Sequence, residues 1–247
     1  MIPDARRLEE LSLNSSAPPG QLLYDGWLVR LAPGKAKRAR SVNAVYPSRL
    51  ALADKIAYCE RLFARASLPA LFRLTPFVEP AGLDAELERR GYGRFDDTAV
   101  EYTTLGADLP GGSAQPMELG PWVEAVGELR GSPAQHREAH RARLAGMPLT
   151  LRPMGIVEDG RVVATGLAMI EDDCVGLFDI VTHEGARRRG HARSLVASLL
   201  ADARSMGARH AYLQVQADNA AARSLYRDFG FTEQYVYWYR GREGERH

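Results

Sequence analysis

Three consecutive arginines, Arg187-Arg188-Arg189, run into Gly190 and from there into a segment, His191 to Met206, with a helical apolar pattern. Ala192, Leu195, Val196, Leu199, Leu200, Ala203 and Met206 fall at i, i+3, i+4, i+7 spacing, which marks the buried face of one amphipathic helix that Gly207 ends. Before the turn, Val175 to Val181 reads as a strand. After the helix, His210 to Gln216 alternates Ala211, Leu213 and Val215 with Tyr212, Gln214 and Gln216, a strand with two different faces. A glycine turn feeding a helix start has a chemical consequence. The first helical turn carries backbone N–H groups without intrahelical partners and the positive end of the helix dipole, so it can bind a pyrophosphate. Gly190 and Ala192 keep bulk away from phosphate oxygens, while Arg187, Arg188 and Arg189 offer charge and fork-shaped donors. Taken alone, an arginine run is more simply a solvated surface; the glycine and the apolar helix face behind it favour the phosphate site.

The rest of the chain supplies further alternating elements. Gly26–Leu31 and Ser41–Tyr46 read as strands, Leu52–Ala66 as a helix through Ile56, Cys59, Leu62 and Phe63, and Ala70–Leu74 as a strand. Leu83 and Leu87 mark a helix that ends at Gly91, and Thr98–Leu105 is one more strand. The first residues, up to Gly20, read as a polar start. Gly106–Pro116 carries three Gly and two Pro with no apolar period, so a boundary is placed there: a domain over 1–108, a linker over 109–116 and a second domain over 117–247. Within the second, Trp122–Leu129 and Gln135–Ala145 read as helices. Gly155–Val157 and Val162–Ile170 form a hairpin across Asp159-Gly160, Asn219–Phe229 is a helix stopped by Gly230, and Thr232–Tyr239 is a final aromatic strand.

Lys plus Arg number 32 against 31 acidic residues, a net charge of +1, so no global field gathers nucleic acid or an anionic membrane; any anion site is local. Cys59 and Cys174 stand far apart without a CxxC or Cys/His neighbourhood, which points to buried hydrophobes rather than a disulfide framework or a metal site. A charged N-terminus with no apolar segment, and no run of membrane-spanning length, lead to the expectation of a cytoplasmic protein.

Strand, basic glycine turn, long helix, strand, short helix, Gly-Phe, strand: this order resembles the GCN5-related N-acetyltransferase (GNAT) family over roughly Gly155 to Tyr239. Arg187 to Ala192 (RRRGHA) matches the family's R/Q-x-x-G-x-G/A signature, and Asn219, Ala222, Tyr226 and Gly230-Phe231 fall in its N-x-x-A-x-x-x-Y-x-x-x-G-F pattern. One departure is Thr182-His183-Glu184-Gly185-Ala186 ahead of the turn, where the family often has Pro and an aromatic residue. The resemblance implies a mixed, mainly antiparallel α/β sheet flanked by helices, and acetyl-CoA as acyl donor. It implies transfer to a primary amine of a small molecule or peptide by direct attack, with no Cys or Ser in a nucleophile setting. Binding of the donor is assigned to Ile180, Val181 and Thr182 through backbone, to Arg187, Arg188, Arg189, Gly190, His191, Ala192 and Arg193 at the phosphates, and to Asn219, for which capping its helix is an equal alternative. A backbone N–H near Val181 would polarise the thioester carbonyl. Tyr226 falls where the family places the phenol that protonates the leaving thiolate, the plainer reading being a half-buried packing residue. Asp179, beside the expected thioester, is the candidate base, with a structural bond to a neighbouring loop or helix as the alternative; His183 and Glu184 are the other nearby candidates.

The first half looks like a worn second copy. Gly91-Tyr92 corresponds to Gly230-Phe231, but Pro47-Ser48-Arg49-Leu50-Ala51 stands where the Arg-Gly turn should be and has no glycine, so this half is expected to be GNAT-like in fold without binding CoA. Its basic segment Lys35–Arg40 reads as a solvated loop. A non-catalytic acyl-CoA sensor is the alternative function. No nucleic-acid or membrane partner is expected, and the aromatic last strand, Tyr235–Tyr239, fits either a homodimer interface or, more simply, sheet packing.

Overall fold

In a computed structural model, which describes residues 2–32 and 36–244, the chain divides into two units that interleave along the sequence. Unit one takes in the described residues of Met1–Ser15, Glu101–Val215 and Asn219–Gln234, and unit two those of Ser16–Val100, Gln216–Asp218 and Tyr235–His247. The contiguous division expected above, with residues 109–116 as linker, differs from this. The N-terminal helix belongs to unit one, and two strands, β5 (Gly93–Thr104) and β11 (Thr232–Gly241), each supply residues to both units. Among the described residues no helix is long and apolar enough to cross a membrane.

In unit one the strands lie in the order β5, β10 (His210–Gln216), β9 (Cys174–Thr182), β8 (Arg161–Glu171), β7 (Thr150–Glu158) and β6 (Gln115–Pro116). β10 runs parallel to β9, while β9/β8, β8/β7 and β7/β6 are antiparallel. The β7–β8 hairpin turns at Asp159-Gly160, both with positive φ, as a tight Asp-Gly turn requires. Parallel neighbours need a crossover, and α6 (His191–Ser205) makes it, burying Leu195, Val196, Leu199, Leu200 and Ala203. Room for that face comes from Gly166 of β8, where an added Cβ would press on Leu199 at 2.8 Å and Leu195 at 3.0 Å. Each buried leucine stabilises the fold by about 1.5–3 kcal/mol. Leu167 and Met169, alternating with Gly166, face the other side of the sheet. There they pack on Trp122, Val123 and Val126 of α4 (Leu119–Leu129) and Leu144 of α5 (Ala134–Ala145).

The polar start is a helix, α1 (Ala5–Asn14), capped by Asp4, whose side chain accepts the Arg7 N–H at 2.8 Å. It buries Leu8, Leu11 and Leu13. The Tyr212 hydroxyl donates to Leu11 O at 3.0 Å and lies 2.7 Å from Ser15 Oγ, and Arg7 reaches Glu171 at 3.0 Å.

Unit two is built on the same plan. β1 (Gln21–Tyr24), β2 (Trp27–Arg30) and β3 (Val42–Ala44) are successively antiparallel; α2 (Leu52–Arg65) then crosses to β4 (Phe72–Leu74), parallel to β3 and antiparallel to β11. α3 (Leu83–Arg89) and Gly91-Tyr92 follow, as α7 (Ala220–Arg227) and Gly230-Phe231 follow β10 in unit one. Trp27, Phe63, Phe72 and Tyr92 form the core, with the Phe72 and Tyr92 rings edge to face at 5.4 Å. Ahead of α2, where the glycine turn is replaced, the chain's own carboxylate covers the amides: Asp25 accepts from the Arg49 and Leu50 N–H groups, each at 3.0 Å. Lys55, fully buried, sits 3.1 Å from the same carboxylate and 4.1 Å from the centre of the Trp27 ring. The Leu50 amide above all, with the Arg49 amide and Lys55, outweighs desolvation and holds the Asp25 carboxyl below the usual range. The basic segment read as a solvated loop is largely a packed turn. Lys35 lies outside the described residues, but Lys37–Ala39 forms a 3-10 turn, Lys37 meets Asp96 at 2.7 Å and Arg40 is buried.

The expected linker is packed as well. Ser113 N–H donates to Ser194 Oγ at 2.7 Å, Ala114 N–H to Ser198 Oγ at 3.1 Å, and a Cβ on Gly112 would collide with Ser194 O and Ser198 Oγ. Replacing Gly112 by Ala is expected to destabilise the chain by about 1–3 kcal/mol in urea denaturation, since backbone blocks the new methyl. Gly111→Ala, with open space around it, should leave the midpoint unchanged. Equal midpoints for the two variants would mean that the segment is a free linker after all.

Candidate active site

Thr165 pairs with Val181 and Leu167 with Phe178, so a single residue of β8, Gly166, stands opposite two of β9, Asp179 and Ile180. The extra residue is accommodated by Asp179 at φ +52°. β9 and β10 are registered only from His210↔Cys174 to Leu213↔Leu177, although β9 continues to Thr182 and β10 to Gln216. From the bulge onward the two parallel strands part. Ile180, Val181 and Thr182 keep β8 on one edge and an opening on the other. In a strand bonded along one edge, alternate backbone N–H and C=O groups point to the free edge, where they can meet an extended ligand arm.

Parallel strands bring their carboxyl ends to one edge of a sheet, and the turns that follow them gather there. β9 leads through His183, whose Nδ1 accepts the Gly185 N–H at 3.2 Å, into the arginine turn. Arg188 takes φ +61° and Gly190 φ +84°; Gly190 is the N-cap of α6, no side chain caps the helix, and an added Cβ would meet nothing within 4 Å. The amides of the first turn are therefore uncapped beside open space, the arrangement that receives an anion. The four arginines divide. Arg189 is turned to Glu158 at 2.8 Å and Arg193 to Asp228, whereas Arg187 and Arg188 are exposed and make no ion pair among the described residues. His191 Nε2 is buried 3.3 Å from a Glu158 oxygen without a hydrogen bond. Ala192 follows it in the first turn of α6.

β10 leads into α7, which carries Tyr226. Burial, with a contribution from the Glu101 charge, pushes the Tyr226 phenol up to about 12. Its ring packs on Phe231 at 6.0 Å, and its hydroxyl has no hydrogen bond among the described residues. Asn219 Oδ1 accepts the Ala222 N–H at 3.1 Å, so the structure places it as the cap of α7. On the other side of the arginine turn lies an open cleft of about 1160 Å³ between α4 and the β7–β8 turn, walled by Glu124, Glu128, Glu158 and Asp159 as well as His183 and Arg189. Four carboxylates against Arg161 and Arg189 make this cleft a poorer place for a polyanion than the amide-lined turn.

Asp179 is held by partners that no local pattern announced. Arg130, at the end of α4, lies 2.7 Å from Oδ1, and His140 Nε2 of α5 lies 3.4 Å from Oδ2. Burial alone would raise the carboxyl; the hydrogen bond from His140 and the charges of Arg130 and Arg143 outweigh it and hold Asp179 well below the usual carboxylate range. His183 and Glu184, the alternative bases, are exposed on the turn. Neither Arg130 nor His140 could be singled out from α4 and α5, whose many charges give no sign of which one meets β9.

Residues 123–231 match the family model described as the acetyltransferase (GNAT) family. A Bacillus subtilis (strain 168) protein described as the uncharacterized N-acetyltransferase YobR is 26% identical over 242 residues, which cover 93% of this chain and 95% of the relative. Among solved structures, a GCN5-related N-acetyltransferase from Kribbella flavida superposes with a TM-score of 0.70 at 19% identity, covering 99% of this chain and 97% of that one. A tandem GNAT protein from the clavulanic acid biosynthesis pathway superposes with a TM-score of 0.64 at 16% identity over 94% of this chain and 87% of its own. At these identities the structural likeness speaks for the fold, including a plan repeated in both units.

A carboxyl depressed in the folded state contributes stability that is complete above its unfolded value, about 3.9, and is lost as pH falls through the folded one. Asp179→Asn is therefore expected to destabilise the chain at neutral pH by about 1–3 kcal/mol, toward the lower end because Arg130 is half exposed. The gap between variant and parent in thermal melts should close as pH drops below about 4. A gap independent of pH would remove the ion pair as its cause.

Proposed function

We propose that this chain, whose residues 123–231 belong to the GNAT family of acetyltransferases, transfers an acetyl group from acetyl-CoA to a primary amine of a small molecule or peptide. The observation that carries this reading is the meeting, at one sheet edge, of parted parallel strands and an uncapped helix N-terminus flanked by two unpaired arginines. The turn would take the diphosphate, and the free edge of Ile180 to Thr182 the pantetheine arm. The residues fit that donor: Gly190 leaves the space a phosphate needs, and the side chains of Arg187 and Arg188 have no ion pair to give up among the described residues.

Acetyl transfer proceeds by attack of the neutral amine on the thioester carbonyl, with main-chain donors at the bulge facing the oxygen that becomes negative. Tyr226 then gives its proton to the departing sulfur. A phenol pushed up to about 12 keeps that proton at any physiological pH, which suits a donor and not a base. Direct attack is favoured over a covalent enzyme intermediate because burial pushes both thiols, Cys59 and Cys174, up to about 12, leaving no thiolate to act. In unit two the amides ahead of α2 are already bonded to Asp25, so donor binding is assigned to unit one alone.

Calorimetry with acetyl-CoA at low salt should find one site per chain, weakened about tenfold or more by Arg188→Ala and progressively by salt. Release of free thiol in the presence of a panel of primary amines should fall about 100-fold in Tyr226→Phe with the donor's Kd unchanged. Absence of binding to any CoA species would overturn the reading; donor binding without turnover of any amine would favour the sensor.

A further inference from the structure

An amine acceptor arrives protonated, so the transfer proposed above needs a base on the acceptor side of the bulge, and Asp179 is poorly made for it. Both its oxygens are engaged, Oδ1 by Arg130 at 2.7 Å and Oδ2 by His140 at 3.4 Å, and a carboxylate so held has little tendency to take a proton from an ammonium. The imidazole behind it is differently placed. His140 turns Nε2 to Asp179, its side chain is 20% exposed, and its Nδ1 makes no hydrogen bond among the described residues. Donating Nε2–H to the carboxylate fixes the tautomer in which Nδ1 carries the lone pair. The ring is steadied edge-on by Trp122 at 5.9 Å. The charged groups around the pair are Asp179 from β9, Arg130 from the end of α4, and Arg143 from α5, the last also donating to Ser15 O at 3.3 Å. Glu124 of α4 is turned to Arg137 at 3.0 Å and Arg141 at 2.5 Å, so it does not compete with Asp179 for the imidazole.

We propose that His140 is the residue that deprotonates the acceptor amine, through Nδ1, and that Asp179 is a positioning residue that orients it. The inference rests on the acetyltransferase reading and goes beyond it. The ammonium gives one proton to Nδ1, making an imidazolium that returns it to solvent. The freed lone pair forms the C–N bond, the C–S bond breaks, and the sulfur takes the Tyr226 proton. The second proton leaving nitrogen restores the phenol. One amide, one free thiol and one released proton result.

The test uses the full chain with putrescine, tyramine and tri-alanine as acceptors. His140→Gln should keep the acetyl-CoA Kd and the melting temperature, lose about 100-fold in kcat, lose the acid limb of the kcat/KM profile, and recover in part with added imidazole. Asp179→Asn should lose less and shift that limb. A His140→Gln enzyme with the parent rate and acid limb would overturn the proposal, as would a loss that neither imidazole nor higher pH relieves, which marks a structural role. Nitrogen-detected NMR of the parent protein needs no acceptor and no stable variant: the neutral ring must be the Nε2–H tautomer, and an Nδ1–H ring defeats the idea outright. Failure of the parent to bind acetyl-CoA defeats the acetyltransferase reading instead, and the two failures are read in different experiments.

Discussion

Between Thr165 and Leu167, β8 spends one residue, Gly166, where β9 spends two. That mismatch turns the direction of β9, and the geometry of the site follows from the turn. Gly166 lacks the Cβ that would strike Leu195, Leu199 and Ile180, so α6 comes close on one face while Asp179 is presented to α4 and α5 on the other. Past the bulge β9 no longer holds the register of β10, and its main-chain groups on that edge are not taken up by the ladder. A side chain at position 166 would displace the ends of Ile180, Leu195 and Leu199 from that contact.

The two units answer one physical problem in opposite ways. Every crossover helix begins with amides that have no intrahelical acceptor, and burying them unpaired is costly. No side chain caps α2, but in the turn just ahead of it Asp25 covers the Arg49 and Leu50 amides and is itself neutralised by Lys55. At α6 no side chain caps the helix, and Gly190 holds the approach clear. The same plan therefore gives a sealed turn in one unit and a receptive one in the other. The difference lies in a few residues, a carboxylate against a glycine, while the sheet order around them is preserved.

Much of this was legible from the sequence where one local rule decided the outcome. The α6 stripe, the Asp-Gly hairpin, the alternation of β10 and the Gly190 turn all stand near their expected positions. α1 is hard to tell from a charged tail in the sequence because Leu8 and Leu11 sit among Arg6, Arg7, Glu9 and Glu10, and only the cap at Asp4 distinguishes it. The segment around Gly112 reads as a linker for a related reason: glycine and proline signal flexibility when nothing packs on them, and here Ser194 and Ser198 do. The interleaving of the units depends on which sheet accepts β5 and β11, a choice made by neighbours remote in sequence. Within the site, the arginine run was visible but its division was not, because Glu158 and Asp228 lie 31 and 35 residues from the arginines they engage. His140 shows the same limit: its partner is set by the bulge, and no spacing on α5 encodes that.

The site drives its two ionisable extremes apart. Tyr226, buried beside Phe231 with the Glu101 charge adding to the effect, is pushed up and keeps its proton; Asp179, largely removed from water, is driven down by the cations that face it and stays a charge. Burial acts in the same direction on both groups, so what separates them is company. A carboxylate pinned this low is better suited to orient a neighbour than to accept a proton. Its partners, Arg130 at the end of α4 and His140 in the middle of α5, come from two helices packed on the face of the sheet opposite α6. The surroundings of Asp179 are thereby tied to the packing of Trp122 and Leu144 on Leu167 and Met169, so a loss of fit in that small core would reach the Asp179 cluster before it reached the arginine turn.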